Sequence, residues 1–182
     1  MTSPDIARSI QHVESVFRRR PAAGLHDDAP ATARWEGRTR VVSTHASGAA
    51  VVTDMPVELG GSGDQVTPGW LARAALASCA TTRIVMAAAV DGIELSSLEV
   101  LASSRSDARG LLGMTESDGS PVPAEPRDVE LQVRIAAAGQ SPERLRALVE
   151  GCDCFSPVTQ TLRQAIPVTV RIQVDADNVN RP

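Results

Sequence analysis

The sequence contains no lysine and no tyrosine. Without lysine, neither Schiff-base chemistry nor a general-base amine is available, and arginine, which stays charged and does not exchange protons, supplies every basic side chain other than the three histidines. Aromatic residues make up only 2% of the chain, namely Phe17, Trp35, Trp70 and Phe155. That scarcity argues against an RNA- or single-strand-binding platform built on stacked rings. The net charge of −4 argues against a non-specific nucleic-acid binder. No uninterrupted apolar run reaches the roughly 18 residues of a membrane span. The N-terminal segment also lacks a signal-peptide core, because Asp5, Arg8, Gln11, His12 and Glu14 interrupt it. The expected setting is therefore the cytoplasm, where thiols stay reduced. There are three cysteines. An odd count excludes a pure disulfide framework, and three are too few for a four-cysteine zinc site.

What is present is the composition of a globular domain: 182 residues, 42% hydrophobic and 22% charged. Apolar spacing at Ile6, Ile10, Val13, Val16 and Phe17 predicts an amphipathic helix that ends in Arg18, Arg19 and Arg20 and is broken by Pro21. Residues 21–30 read as a linker. The expected organisation is an N-terminal helix and linker over 1–30, a domain over 31–175 and a polar tail over 176–182. Strand-like segments follow at 32–44 and 49–57, with a turn at Ala46-Ser47-Gly48. The Gly-rich stretch 59–64 lacks the Gly-Lys-Ser/Thr ending of a phosphate-binding loop.

Thr67-Pro68 opens the longest helix, which Asp91-Gly92 stops. Its apolar stripe is read as Leu71, Ala75, Ser78, Thr82, Val85, Met86 and Ala89. Leu76 and Ile84 lie on the other side, and only Arg73 and Arg83 are strongly polar. A helix apolar nearly all round is a central one, and its two arginines argue against a membrane span. Strands are predicted at 97–106 and 127–137, with a mobile Gly- and Pro-containing loop at 110–126 between them. Helices open at Ser141-Pro142 and Ser156-Pro157, a last strand covers 166–174, and 175–182 is a polar, frayed tail. The order predicts an α+β fold with a mostly antiparallel sheet and a long buried central helix.

Cys79 is the leading candidate for chemistry. It sits about three turns into the central helix, too far for the helix dipole to activate its sulfur. A reactive thiolate there needs a nearby cation. Arg83, one turn on and about 40° round the wheel, is one candidate. Free cysteine is also among the most buried residue types, so a packing role stays open. Cys152 and Cys154 form Cys-Asp-Cys ahead of a helix start, but His12, His26 and His45 all lie in the N-terminal quarter and complete no metal site. No Gly-x-Ser-x-Gly elbow and no His-Glu-x-x-His motif occurs. No metal or organic cofactor is called for.

Four stretches in order, Asp54–Gly61, Thr67–Leu71, Ala74–Cys79 and Ser156–Leu162, followed by Pro167–Val170, resemble the osmotically inducible protein C and organic hydroperoxide resistance (OsmC/Ohr) family. The resemblance covers about residues 32–175. It implies an OsmC-like intertwined homodimer with the long helix at the subunit interface, acting in the oxidative stress response as a thiol-dependent peroxidase. In that chemistry a thiolate attacks the hydroperoxide and becomes a sulfenic acid. A second thiol condenses with it, and an external dithiol reopens the disulfide.

Cys79 matches the attacking position in this family. The second family cysteine falls at Ser156, which suits a helix N-cap but cannot form a disulfide. A helix-start glutamate falls at Gly69, and the arginine it holds beside the thiolate matches Arg38 or Arg40. Three outcomes stay open. Cys154 takes over as the resolving thiol; Cys79 works alone with an external thiol; or activity is lost and the dimer binds an apolar small molecule. The expected site is thus Cys79 and Arg38, supported by Arg40, Arg83, Cys154 and Ser156. No nucleic-acid or membrane partner is expected.

Overall fold

The computed structural model describes residues 3–164 and 166–174. Helix α1 (Ser3–Arg19) and a 3-10 turn (Pro21–Gly24) precede a three-stranded antiparallel sheet of β1 (Thr32–Trp35), β2 (Val41–Thr44) and β3 (Ala50–Thr53). Thr32 pairs with Thr44 and Trp35 with Val41; Val41 then pairs with Thr53 and Thr44 with Ala50. The stretch 32–44, expected as one strand, is therefore a hairpin. The reason is local: Gly37 (φ +106°) and Arg38 (φ +50°) take left-handed conformations that reverse the chain. The Trp35 indole N–H donates to the Arg38 carbonyl at 2.8 Å and holds the turn shut.

The long helix α2 (Pro68–Val90) begins and ends where its signals lie. Thr67 accepts from the Trp70 N–H at 3.2 Å, and Pro68 occupies the first helical position. At the other end the Gly92 N–H donates to the Ala89 carbonyl and the Ile93 N–H to the Ala88 carbonyl, with Gly92 at φ +69°. That is a paired closure of orphan carbonyls around a left-handed glycine. Strands β4 (Leu95–Arg105) and β5 (Arg127–Ala137) form a second antiparallel sheet, with Val100 opposite Val133. Between them lies the short α3 (Ala108–Leu111); α4 (Pro142–Asp153) and α5 (Pro157–Arg163) follow.

The core gathers Ile84, Ala88, Ile93, Leu145, Leu148 and Cys152 against Leu98, Val100, Val133 and Ile135. Helix α2 contributes its i, i+4 row Leu76, Ala80, Ile84 and Ala88, all buried. Of the stripe read from the wheel only Ala89 is buried; Ala75, Ser78 and Thr82 are exposed, and Leu71, Val85 and Met86 are half-buried. The sheet covers one side of α2, and the opposite side meets less of its own chain. By length and composition α2 could cross a membrane, with a mean hydropathy of 1.2. Instead it packs on α1, β4, α4 and α5 and carries Arg73 and Arg83.

Two further expectations are corrected. Residues 166–174 form no strand. Val168, Val170, Ile172 and Val174 alternate as a strand would, yet each is at least 77% exposed, since no strand among the described residues offers them a ladder. The loop 110–126 is tied rather than slack. Arg109 bonds both Asp107 and Glu116, Thr115 bridges Pro121, Val122 is buried, and a Cβ on Gly110 would sit 2.2 Å from the Pro123 carbonyl oxygen. The tail 175–182 lies outside the described residues.

Candidate functional site

Cys79 projects half-buried from the middle of α2. Facing it is Ser156, the residue before α5, only 2% exposed. Its position is that of an N-cap, but its side chain makes no capping hydrogen bond. The Ser156 hydroxyl donates instead to Cys79 Sγ at 3.3 Å and accepts from the Thr159 hydroxyl at 2.9 Å. A cap of this kind contributes about 1 kcal/mol where it forms; here that contribution is forgone and the hydroxyl serves the sulfur. The expected capping role of Ser156 is thereby corrected. Thr159, itself buried, completes a chain of two hydroxyls that ends on the thiol. Such a chain is polarised toward its last acceptor. Thr159 was missed from sequence, although its spacing three residues from Ser156 carries the signal.

A cleft of about 340 Å³ opens beside this chain. Ser156 and Thr159 form its polar edge, and Ala80, Ile84, Leu131 and Val133 its apolar walls. Glu150 and Asp153 line it too, so the cleft has an acidic margin.

The other two cysteines differ from Cys79. Cys152 is 4% exposed and lines the same cleft, with Sγ 3.9 Å from the Arg83 carbonyl oxygen. Burial pushes its thiol up, and the positive charge of Arg83 only partly offsets this. Cys152 is thus held as a neutral packing thiol. Cys154, at the end of α4, is exposed, with Sγ 3.8 Å from the Gly151 carbonyl oxygen.

The arginines have other partners. Arg83 lays its guanidinium over the Phe155 ring, 5.5 Å from the centroid, and its buried Nε has no acceptor among the described residues. Arg38 donates to the carbonyls of Gly60 (3.2 Å) and Gly61 (3.4 Å). Arg40 binds Asp64 at 2.6 and 2.7 Å and Ser62 at 3.2 Å, and lies 3.9 Å from Asp54. No hydrogen bond or ion pair of Arg38 or Arg40 among the described residues reaches Cys79.

What Arg38 and Arg40 hold is the Gly-rich loop, whose hub is Asp54. This side chain is 2% exposed and accepts from the Thr39 hydroxyl, from the backbone N–H groups of Met55 and Ser62, and from the Ser62 hydroxyl. These donors hold the Asp54 carboxyl well below the usual carboxylate range, the Ser62 and Thr39 hydroxyls contributing most. Asp64 is pulled down to about 2, mainly by Arg40. Gly61 is obligatory in this loop, since a Cβ there would fall 1.7 Å from the Met55 carbonyl oxygen.

A family model described as OsmC-like protein matches residues 61–171. That span holds α2, the second sheet, α4 and α5, and with them Cys79 and Ser156. The chain belongs to the OsmC-like protein family. Solved structures of similar fold include an OsmC-like protein from Mycoplasma pneumoniae (14% identity over 76% of this chain and 89% of that one, TM-score 0.62). An organic hydroperoxide resistance protein from Elizabethkingia anophelis is similar at 18% identity over 76% and 90%, TM-score 0.55. An organic hydroperoxide resistance protein OsmC from Legionella pneumophila is similar at 23% identity over 76% and 91%, TM-score 0.53. At these identities the likeness establishes the fold: α+β, antiparallel, around one long helix. No curated protein matches the sequence. Among the described residues of this OsmC-like chain, no group of three or more His, Cys, Asp or Glu side chains could hold a metal ion.

Proposed function

We propose that this OsmC-like protein reduces organic hydroperoxides through Cys79 and depends on an external thiol to complete each cycle. The observation that carries the reading is the 3.3 Å contact from the Ser156 hydroxyl to Cys79 Sγ. The Cys79 thiolate attacks the terminal oxygen of ROOH. The S–O bond forms as the O–O bond breaks, and RO⁻ leaves and takes a proton as ROH. The sulfenic acid then reacts with a thiol R′SH, releasing water and forming a mixed disulfide. A second R′SH frees the Cys79 thiol as R′SSR′ departs, so one ROOH and two thiols become ROH, water and a disulfide.

Ser156 acts as a donor toward the sulfur, with Thr159 orienting its hydroxyl. Oxygen cannot close the family's internal disulfide, which is why the second thiol comes from outside. Cys154 competes for that role only if it reaches Cys79. The designation of the Legionella relative as an organic hydroperoxide resistance protein supports the substrate class. The apolar walls of the cleft favour a substrate with an organic tail. Burying roughly 100 Å² of apolar surface contributes about 2.5 kcal/mol, enough for a roughly 70-fold preference over hydrogen peroxide.

The working unit of this reading is a cytoplasmic homodimer of the 31–175 domain, each copy carrying the 1–30 helix and linker. The uncovered face of α2 and the unpaired segment 166–174 support a second copy as the partner. A binding role without catalysis is the second reading. It is favoured by the commitment of Arg38 and Arg40 to the Gly-rich loop, which leaves the thiol without either guanidinium. Peroxide-dependent thiol consumption with cumene hydroperoxide and dithiothreitol separates the two. Wild type turns over and Cys79→Ser does not; equal rates in both end the Cys79 reading.

A further inference from the structure

We propose a second ligand site, for a small carboxylate with an apolar body, in the cleft between the first turns of α2 and the second sheet. This cleft has a volume of about 200 Å³ and is separate from the one beside Ser156. Its walls include Ala72, Leu76, Val129 and Leu162, and its one charged lining residue is Arg73. Arg73 is half-buried, forms no ion pair among the described residues, and uses one N–H on the Ser104 hydroxyl at 3.3 Å. A guanidinium offers five donors in a planar fork that matches a carboxylate. No aspartate or glutamate lines this cleft, whereas Glu150 and Asp153 line the other. The two clefts are therefore of opposite electrostatic preference, and of the two this one favours an anion.

Gly69 makes the vacancy. A Cβ at this position would meet only Arg73 Nη1 at 3.8 Å and Thr67 Oγ1 at 3.9 Å, both ordinary contacts. Neither a left-handed backbone nor a close approach demands glycine there, and glycine is a poor helix former. What its missing side chain does is leave the space beside the Arg73 guanidinium open. An acid from outside the chain enters that space, pairs with Arg73 and lays its apolar body against Leu76, Val129 and Leu162. The volume suits a medium-chain or monocyclic aromatic carboxylate.

Octanoate is the probe, with 1-octanol as its uncharged counterpart, and titration calorimetry on the full chain is the measurement. Octanoate should bind saturably at one per chain and at least tenfold more weakly to Arg73→Gln, while 1-octanol binding changes less than twofold. Gly69→Glu supplies an internal carboxylate to Arg73 and should weaken octanoate at least tenfold in a protein whose circular dichroism is unchanged. Cys79→Ser should bind octanoate as wild type does, since the site does not use the thiol. Absence of saturable binding, an affinity unaltered by either Arg73→Gln or Gly69→Glu, or loss of binding in Cys79→Ser would each overturn the proposal.

Discussion

Ser156 holds an oxygen 3.3 Å from Cys79 Sγ, in a place where a sulfur could bond to it. Replacing Ser156 by cysteine requires only about 1 Å of approach to reach disulfide length. The S156C variant should therefore form a disulfide to Cys79 on mild oxidation, read by peptide mapping; a variant that keeps both thiols free would speak against the geometry. Ser156→Ala leaves Thr159 without its acceptor. It should cost about 1 kcal/mol in urea unfolding and slow Cys79 oxidation, followed by sulfenic-acid trapping. The three thiols should also separate by maleimide labelling in the native protein: Cys154 first, Cys79 later, and Cys152 only on unfolding, because burial shields it and keeps it protonated. Sequence placed Cys79 on its helix and singled out Ser156 by its position. It did not foresee that the serine would turn from the helix end to the sulfur, because capping is judged on one element while this contact joins two.

At the scale of elements, legibility followed local chemistry. The Thr67-Pro68 start and Asp91-Gly92 stop of α2, and the alternation of Val129, Leu131, Val133 and Ile135 in β5, are written within the elements themselves. The hairpin inside 32–44 was not legible, since Arg38 takes a left-handed turn conformation that arginine seldom adopts. The loop 54–64 depends on Asp54, whose carboxylate holds four hydrogen bonds. Its folded pKa, like that of Asp64, lies below the unfolded value of about 3.9. The stabilisation is present above about pH 4 and is lost as pH falls through the folded values, since the unfolded chain takes up protons first. The urea midpoint of wild type should fall steadily below pH 4. Asp54→Asn should be less stable at pH 7 and flatter across the acid range; parallel curves would count against Asp54 as the hub.

At the scale of the whole molecule, two rows that the sequence pattern marks for packing lack cover among the described residues: the Ala75, Ser78 and Thr82 side of α2, and the alternating row from Val168 to Val174. Both were expected to be structured from their patterns. Neither packs as expected, because periodicity marks a row of residues but does not say which chain supplies the opposing surface. With a second copy as that surface, Ile172→Asp should convert a dimer to a monomer in light scattering coupled to gel filtration. It should leave the far-ultraviolet spectrum of the helices intact. A wild type that is monomeric at every concentration would sink the homodimer proposal.

The segment 166–174 has a consequence for handling the protein. Apart from Pro167 at its start, it is a run of β-favouring residues with a single charge, Arg171, in its midst. Short runs of this kind, uncharged and exposed, stack into fibrils, and one embedded charge is often what prevents it. Arg171 should therefore guard the solubility of a freshly made chain. Its neutralisation would show first as turbidity and inclusion bodies, before any loss of helix or thiol reactivity.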